Sequence, residues 1–478
     1  MTLVSLALLA VGCAGATKAN QPGGEAAMNP PKSEAALAYE KECNADLTAA
    51  KALLESLTKL SGEKSVATVL VPHNQLGIVL DRGVNTAGLL RNVHPDASLR
   101  AVADTCEQEF NKLATEIGMS RPLYDAVAAL DVSGEDATTK RYVTILLRDF
   151  RRAGVDKDDA TRAQIRALKD EIVKIGQEFD KNIRENVRKI MLPNATALAG
   201  LPADYIDAHK PGADGQITIT TDYPDYVPFM SYAQDDALRL TLYKEFRKRG
   251  YPQNEAVLNQ LLLKRNELAK FLGYSNWAAY ATEDKMIKSP ANARDFINKV
   301  SKVAEKRSKR DYDELLKQLQ KSTPTATAVG DWQKTFVEEQ LKKDTYAVDS
   351  QSVRAYLPYE RVKQGVLGTT SKMFGLTYKK ADVPVWDASV EAYEVFSGDT
   401  KVGLFYLDMH PRDGKYKHAA AFPLRTGVLN VQVPEAALVC NFPGGDGTAG
   451  LMQHDDVETF FHEFGHLLHH ILGGRQPW

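Results

Sequence analysis

The chain of 478 residues has no CxxC pair, no excess of either charge, no internal repeat and no apolar run long enough to span a bilayer as a helix. Each absence removes a class of protein. A membrane-crossing helix needs about 20 apolar residues, and the run LVSLALLAVG covers only 3–12. The four cysteines, Cys13, Cys43, Cys106 and Cys440, lack the paired spacing of a cysteine-ligated zinc site. Lys and Arg number 60 against 62 Asp and Glu, a net charge of −2. No basic surface is implied that could displace counterions from phosphates, so nucleic acid is excluded as a partner. The one basic run, Lys302 to Arg310, is followed at once by Asp311, Asp313 and Glu314. It reads as a solvated helix face laced with i,i+4 pairs. What is present is 44% apolar and 26% charged residues. That is the composition of a water-soluble globular protein with a large core, and the length is two to four domains' worth.

The apolar run ends at Gly12-Cys13, preceded by Leu9-Ala10-Val11. This resembles a bacterial lipoprotein signal, whose cysteine becomes the lipid-bearing first residue. Residues 1–13 are therefore expected to be a signal with Cys13 the lipidation site, and 14–32 a Gly- and Pro-rich tether to the membrane of a cell envelope or periplasm. The pattern departs from a secretory signal in one respect: only Met1 and Thr2 stand where positive charge belongs. A frayed apolar N-terminus on a cytoplasmic protein is the other reading. If the chain is exported, Cys43 and Cys106 are candidates for a disulfide; two buried free thiols are the alternative.

From Ser33 to about residue 185 the pattern is mostly helical. Ile165, Leu168, Ile172, Ile175, Phe179 and Ile183 place one apolar stripe on a long helix over 161–185. Between Gln216 and Met230 the β-branched alternation with prolines predicts short strand and loop. Helices are expected again at about 235–248, 254–272, 275–282, 290–320 and 325–343. A β-rich insert follows: Val390 to Phe396, a turn, Val402 to Met409, then Lys415 to Pro423 and Gly427 to Val433. The Gly444-Gly445-Asp446-Gly447 loop leads into one last helix. The fold class is mainly α, with a small sheet just ahead of that helix.

The last helix carries the chemistry. It runs from Asp455, with Asp455 and Glu458 as a capping signature, and ends at Gly473-Gly474. Phe460, Phe464, Leu467 and Ile471 form its buried stripe. Within it lies His462-Glu463-Phe464-Gly465-His466. Residues four apart share a helix face, so His462 and His466 can direct two imidazoles at one ion, and imidazole is a good zinc ligand. Glu463 projects about 100° round the axis, where it can take a proton from a water rather than serve as a third ligand on that face. A chance match to this motif in a chain with ten histidines has odds of about one in a hundred. His469 and His470 fall outside the pair and read as packing or supporting residues, and His454 as structural. Gly465 is expected to permit a close backbone approach, since glycine inside a helix otherwise costs about 1 kcal/mol.

LMQHDDVETFFHEFGHLLHH resembles the signature helix of the thimet oligopeptidase and oligopeptidase A family of zinc metallopeptidases. RNELAKFLGYSNWAAYATEDKM (265–286), GLFYLDMHPRDGKYKHAAAFP (403–423) with its Asp…Arg-x-Gly-Lys turn, and ALVCNFPGG (437–445) are similar to further stretches of that family. The likeness is close over about 230–478 and loose before it. It implies two mostly helical lobes flanking a deep channel, a small sheet beside the zinc helix, and a zinc endopeptidase of short peptides. One Zn2+ would be held by His462 and His466, with Glu463 as general base. A helical region 33–230 and a catalytic region 231–478 follow from it. Either 403–409 or 418–423 would hold substrate backbone by strand addition. The family's third zinc ligand, a glutamate, lies further along than Trp478. The resemblance thus makes 1–478 an N-terminal fragment expected to bind zinc weakly and to show little activity. A catalytically silent peptide-binding or scaffold protein is the alternative.

Overall fold

A computed structural model describes residues 31–478 apart from 185, 446, 448 and 449. Cys13, the 1–13 segment and nearly all of the tether lie outside the described residues. The chain is mainly helical and forms two compact units. One contains the described residues up to Ala167 together with Leu357–Trp478, and the other is Leu168–Tyr356.

The first unit opens with α1 (Glu34–Thr58), α2 (Val71–Val93), α3 (Ala97–Gly118), α4 (Arg121–Ala128) and α5 (Ala137–Ala153). Ser33, Asp96, Ser120 and Asp136 cap four of these, each side chain accepting from a first-turn N–H that would otherwise lack a partner. Their apolar faces meet in a core of Leu54, Leu80, Phe110, Leu123, Leu146 and Phe150. Cys43 on α1 and Cys106 on α3 are joined as a disulfide, with Cα atoms 6.2 Å apart. Cys440 is free and buried.

Helix α6 (Asp159–Arg184) covers the stripe seen in the sequence. Strands β1 (Lys189–Leu192) and β2 (Ile217–Thr220) pair antiparallel in the second unit. Its remaining helices are α7 (Ala203–Ala208), α8 (Tyr223–Tyr232), α9 (Asp236–Arg247), α10 (Gln253–Phe271), α11 (Trp277–Glu283), α12 (Pro290–Ser322), α13 (Lys334–Tyr346) and α14 (Ser350–Arg354). Only 217–220 is strand; residues 223–232 are helical, with Pro224 in the first turn where no N–H is required. Burial of Phe229 and Met230 against Ile217 and Ile219 outweighs the β-branched signal. The helix expected from 325 begins at Lys334, after a turn that contains Pro324 and Gly330. The basic run lies on α12, exposed, with Arg307 paired to Asp311 at 2.7 Å, as the alternating charges suggested.

The first unit resumes with α15 (Tyr359–Phe374), β3 (Leu376–Lys380), β4 (Glu391–Ser397), β5 (Thr400–Asp408), β6 (Ala420–Arg425), β7 (Glu435–Val439) and α16 (His454–Gly473). The five strands form one sheet in the order β3-β4-β5-β7-β6, with β5 and β7 parallel and the other pairs antiparallel. Alternation sorts its side chains. Val395, Phe405, Leu407, Ala436 and Leu438 pack against α15 and α16. Ala392, Leu404, Tyr406, Ala437 and Val439 pack with Leu89 and Val93 of α2. With both faces covered, β5 reads as an unbroken apolar run. Gly427 to Val433, expected as a strand, is a turn closed by a Val428–Gln432 bridge. The strand neighbouring β6 is β7.

Candidate metal centre on helix α16

Helix α16 is fixed at both ends and along one face. Ahead of it, Met452 N–H donates to Leu357 O at 2.9 Å and Tyr359 N–H to Gly450 O at 3.0 Å, which ties its approach to the start of α15. The capping box sits two residues earlier than the sequence suggested: the Asp456 carboxylate accepts from Gln453 N–H at 2.8 Å. Phe460 and Phe464 are fully buried. Phe464 meets Phe405 edge-on at 5.5 Å and Tyr378 at 6.1 Å, contacts that add to simple area burial. Gly403 in β5 lets the helix seat closely, since a Cβ there would lie 2.7 Å from Ile471 Cγ2. At the other end Gly427 and Gly474 touch: a Cβ on Gly427 would lie 2.5 Å from Gly474 Cα.

With that face buried, His462 and His466 stand on the exposed side. Their Nε2 atoms are 3.2 Å apart and their rings are inclined at 76°. Two nitrogens bound at 2.0–2.1 Å to one tetrahedral ion lie about 3.4 Å apart. The pair therefore already has the span of two ligands to a single zinc. Among the described residues no third histidine, cysteine or carboxylate lies within bridging distance of both Nε2 atoms. His454, Asp455 and Glu458 do approach one another, but they are exposed at the helix N-terminus, where the helix dipole disfavours a cation. Glu463 is half-buried. The buried Cys440 thiol is pushed well above its usual range, chiefly by burial and further by the negative charges of Glu463, Asp408 and Asp456.

The remaining histidines separate. His454 is the first residue of the helix, exposed, 3.4 Å from Glu458. His469 is exposed. His470 is half-buried and lies 2.8 Å from the backbone oxygen of Arg425, at the end of β6. The close approach expected at Gly465 is not found, because a Cβ there would meet nothing within 4 Å.

The Asp…Arg-x-Gly-Lys turn, whose role residue types alone do not reveal, is a buried ionic junction beneath the approach to α16. Asp408 is 0% exposed. It accepts two bonds from Arg412, at 2.6 and 2.7 Å, and one from Trp386 at 2.7 Å. Lys415 lies 2.7 Å from the same carboxylate and donates to the carbonyls of Asp408, His410 and Cys440 at 3.0, 2.6 and 2.7 Å. Burial alone would raise the Asp408 carboxyl, but its three partners hold it below its ordinary value. Lys415 thereby pins the ends of β5 and β7 just where the chain leaves for α16.

Residues 229–477 match the model of Peptidase family M3, which is more than half of the chain. The chain belongs to peptidase family M3. Oligopeptidase A of Salmonella typhimurium is 26% identical over 447 residues, 88% of this chain and 66% of that protein. Oligopeptidase A of Escherichia coli is 27% identical over 84% of this chain and 62% of its own length. A thimet-like oligopeptidase of Dictyostelium discoideum is 27% identical over 88% of this chain and 66% of its own. The chain thus spans less than two thirds of the length of these relatives. Both the matched region and the relatives agree with the family that the signature helix suggested.

Of the two segments expected to contact substrate backbone, 403–409 is excluded by the sheet order. It lies mostly in β5, which is paired on one side to β4 and on the other to β7. The other segment runs into β6, which among the described residues has β7 on one side only and is an edge strand. Among the described residues no helix is long and apolar enough to cross a membrane.

Proposed function

We propose that the full-length protein hydrolyses short peptides at one zinc ion held in part by His462 and His466. The observation that carries this is the 3.2 Å span between their Nε2 atoms, set by one helical turn on a face that the buried stripe leaves free. Zinc at that position supplies Lewis acidity to the scissile carbonyl and to a water. Glu463, next along the helix, takes the water's proton and passes it to the leaving amine. The free edge of β6 offers backbone groups to an extended peptide. Pro423, which has no N–H to give to a ladder, is compatible with an edge strand. Restriction to short peptides rests on the deep channel that the family resemblance implies. Export is part of the same reading, supported by the Cys43–Cys106 disulfide, a bond that persists in oxidising compartments, and Cys13 is its proposed lipid anchor.

The test separates metal from chemistry. In the full-length product of the coding sequence, His462→Ala and His466→Ala are expected to lose bound zinc, read by elemental analysis. Glu463→Gln should keep the zinc yet cut turnover of a quenched fluorescent peptide by about 100-fold or more. Turnover preserved in Glu463→Gln would remove Glu463 as the base. Peptide binding without turnover by the zinc-loaded wild-type protein would favour the silent peptide binder.

A further inference from the structure

His462, His466 and His470 follow one another at intervals of four, each about 40° further round α16. His470 thus projects from the same side of the helix as the metal pair, and it meets the end of β6. Its Nε2 lies 2.8 Å from Arg425 O. A carbonyl can only accept, so Nε2 carries the proton and donates. Burial holds the imidazole below its ordinary pKa, against the opposing backbone hydrogen bonds of Arg425 and Glu435, in keeping with a neutral ring. This hydrogen bond joins α16 to the end of β6. The joint around it is tight. Gly427 lies against Gly474, and Pro434 would be 2.7 Å from a Cβ on Gly474. Gln432 donates to Thr426 O at 2.7 Å and Thr426 Oγ1 to Asp81 at 3.0 Å.

We propose that His470 is a positioning residue: it fixes the free edge of β6 relative to the His462–His466 pair, and so sets which peptide bond of a strand-paired substrate meets the metal. This rests on the proposed function. The leverage is geometric. Strand residues recur every 3.3–3.4 Å, and a misplacement of about 1 Å at a reacting centre can cost about 100-fold in rate. A clamp at the end of β6 holds the edge against sliding along the helix.

The experiment uses the full-length product carrying Glu463→Gln, so that peptide binds without turnover, and adds His470→Leu or His470→Gln. Leucine removes the donor, whereas glutamine can place an amide N–H where Nε2 stood. With His470→Leu, amide exchange of 420–425 should speed up about tenfold and a fluorescein-labelled nonapeptide should bind about tenfold more weakly, the worth of one hydrogen bond. Zinc content should be unchanged. His470→Gln should return both readings to within about threefold of the parent. Unchanged exchange in His470→Leu, or leucine and glutamine variants that fall together, overturns the inference. If the parent does not bind the peptide, exchange alone decides the clamp, and the failure belongs to the proposed function.

Discussion

Lys415→Met removes the ammonium from the junction beneath α16 while keeping an unbranched side chain in its place. The Lys415 side chain is 0% exposed, so water cannot substitute for it. Asp408 is not stranded by the change, since Arg412 and Trp386 still donate to it. Its carbonyl also keeps the Cys440 N–H at 2.8 Å. The loss falls on the carbonyls of His410 and Cys440, at about 1–3 kcal/mol for each buried acceptor left unpaired. It is offset in part because a lysine charge no longer has to be desolvated. The net is about 2–4 kcal/mol, less than the about 3–5 kcal/mol for breaking a buried pair outright. At about 2–4 °C per kcal/mol for a domain of this size, the melting transition of the unit holding 357–478 should fall by about 4–16 °C. Lys415→Arg should not restore it, because a planar fork cannot take the place of a point charge among three carbonyls. Differential scanning fluorimetry reads both. A shift under about 2 °C for Lys415→Met would show that the His410 and Cys440 carbonyls have other partners and that the junction is not what holds the strand ends.

Gly403→Ala puts a methyl 2.7 Å from Ile471 Cγ2 and should cost about 1–3 kcal/mol. Ile471→Ala in the same chain should recover part of it, and a strictly additive double variant would refute the contact. Reduction of Cys43–Cys106, which closes a separation of 63 residues, should cost about 4 kcal/mol on the chain-entropy account; a melting curve unmoved by dithiothreitol argues against the bond. His73 is 1% exposed, and burial holds it down to about 4. Its unfolded form titrates near 6.5, so its contribution is complete above that value. About 3 kcal/mol is lost as pH falls from about 6.5 to 4. His73→Asn should flatten that part of the stability profile, and an equal slope in both proteins would count against a buried neutral imidazole.

The sequence by itself determined that His462 and His466 face one another, because their relation is local: four positions on a helix make one turn, whatever the rest of the chain does. It determined the buried stripe of α16, the charged exposure of α12 and most helix positions for the same reason. The family, too, was legible in the signature helix. Residues 223–232 were misread because alternation within ten residues does not reveal which side chains a neighbouring strand will bury. Tertiary structure alone decided the strand order. That order left β6 with a free edge and closed β5 on both sides, although both segments look alike in sequence. It also decided what Lys415 and His470 touch. Their partners are backbone carbonyls brought together by the parallel pairing of β5 with β7 and by the packing of α16 on β6, and a carbonyl leaves no mark in the residue type that carries it.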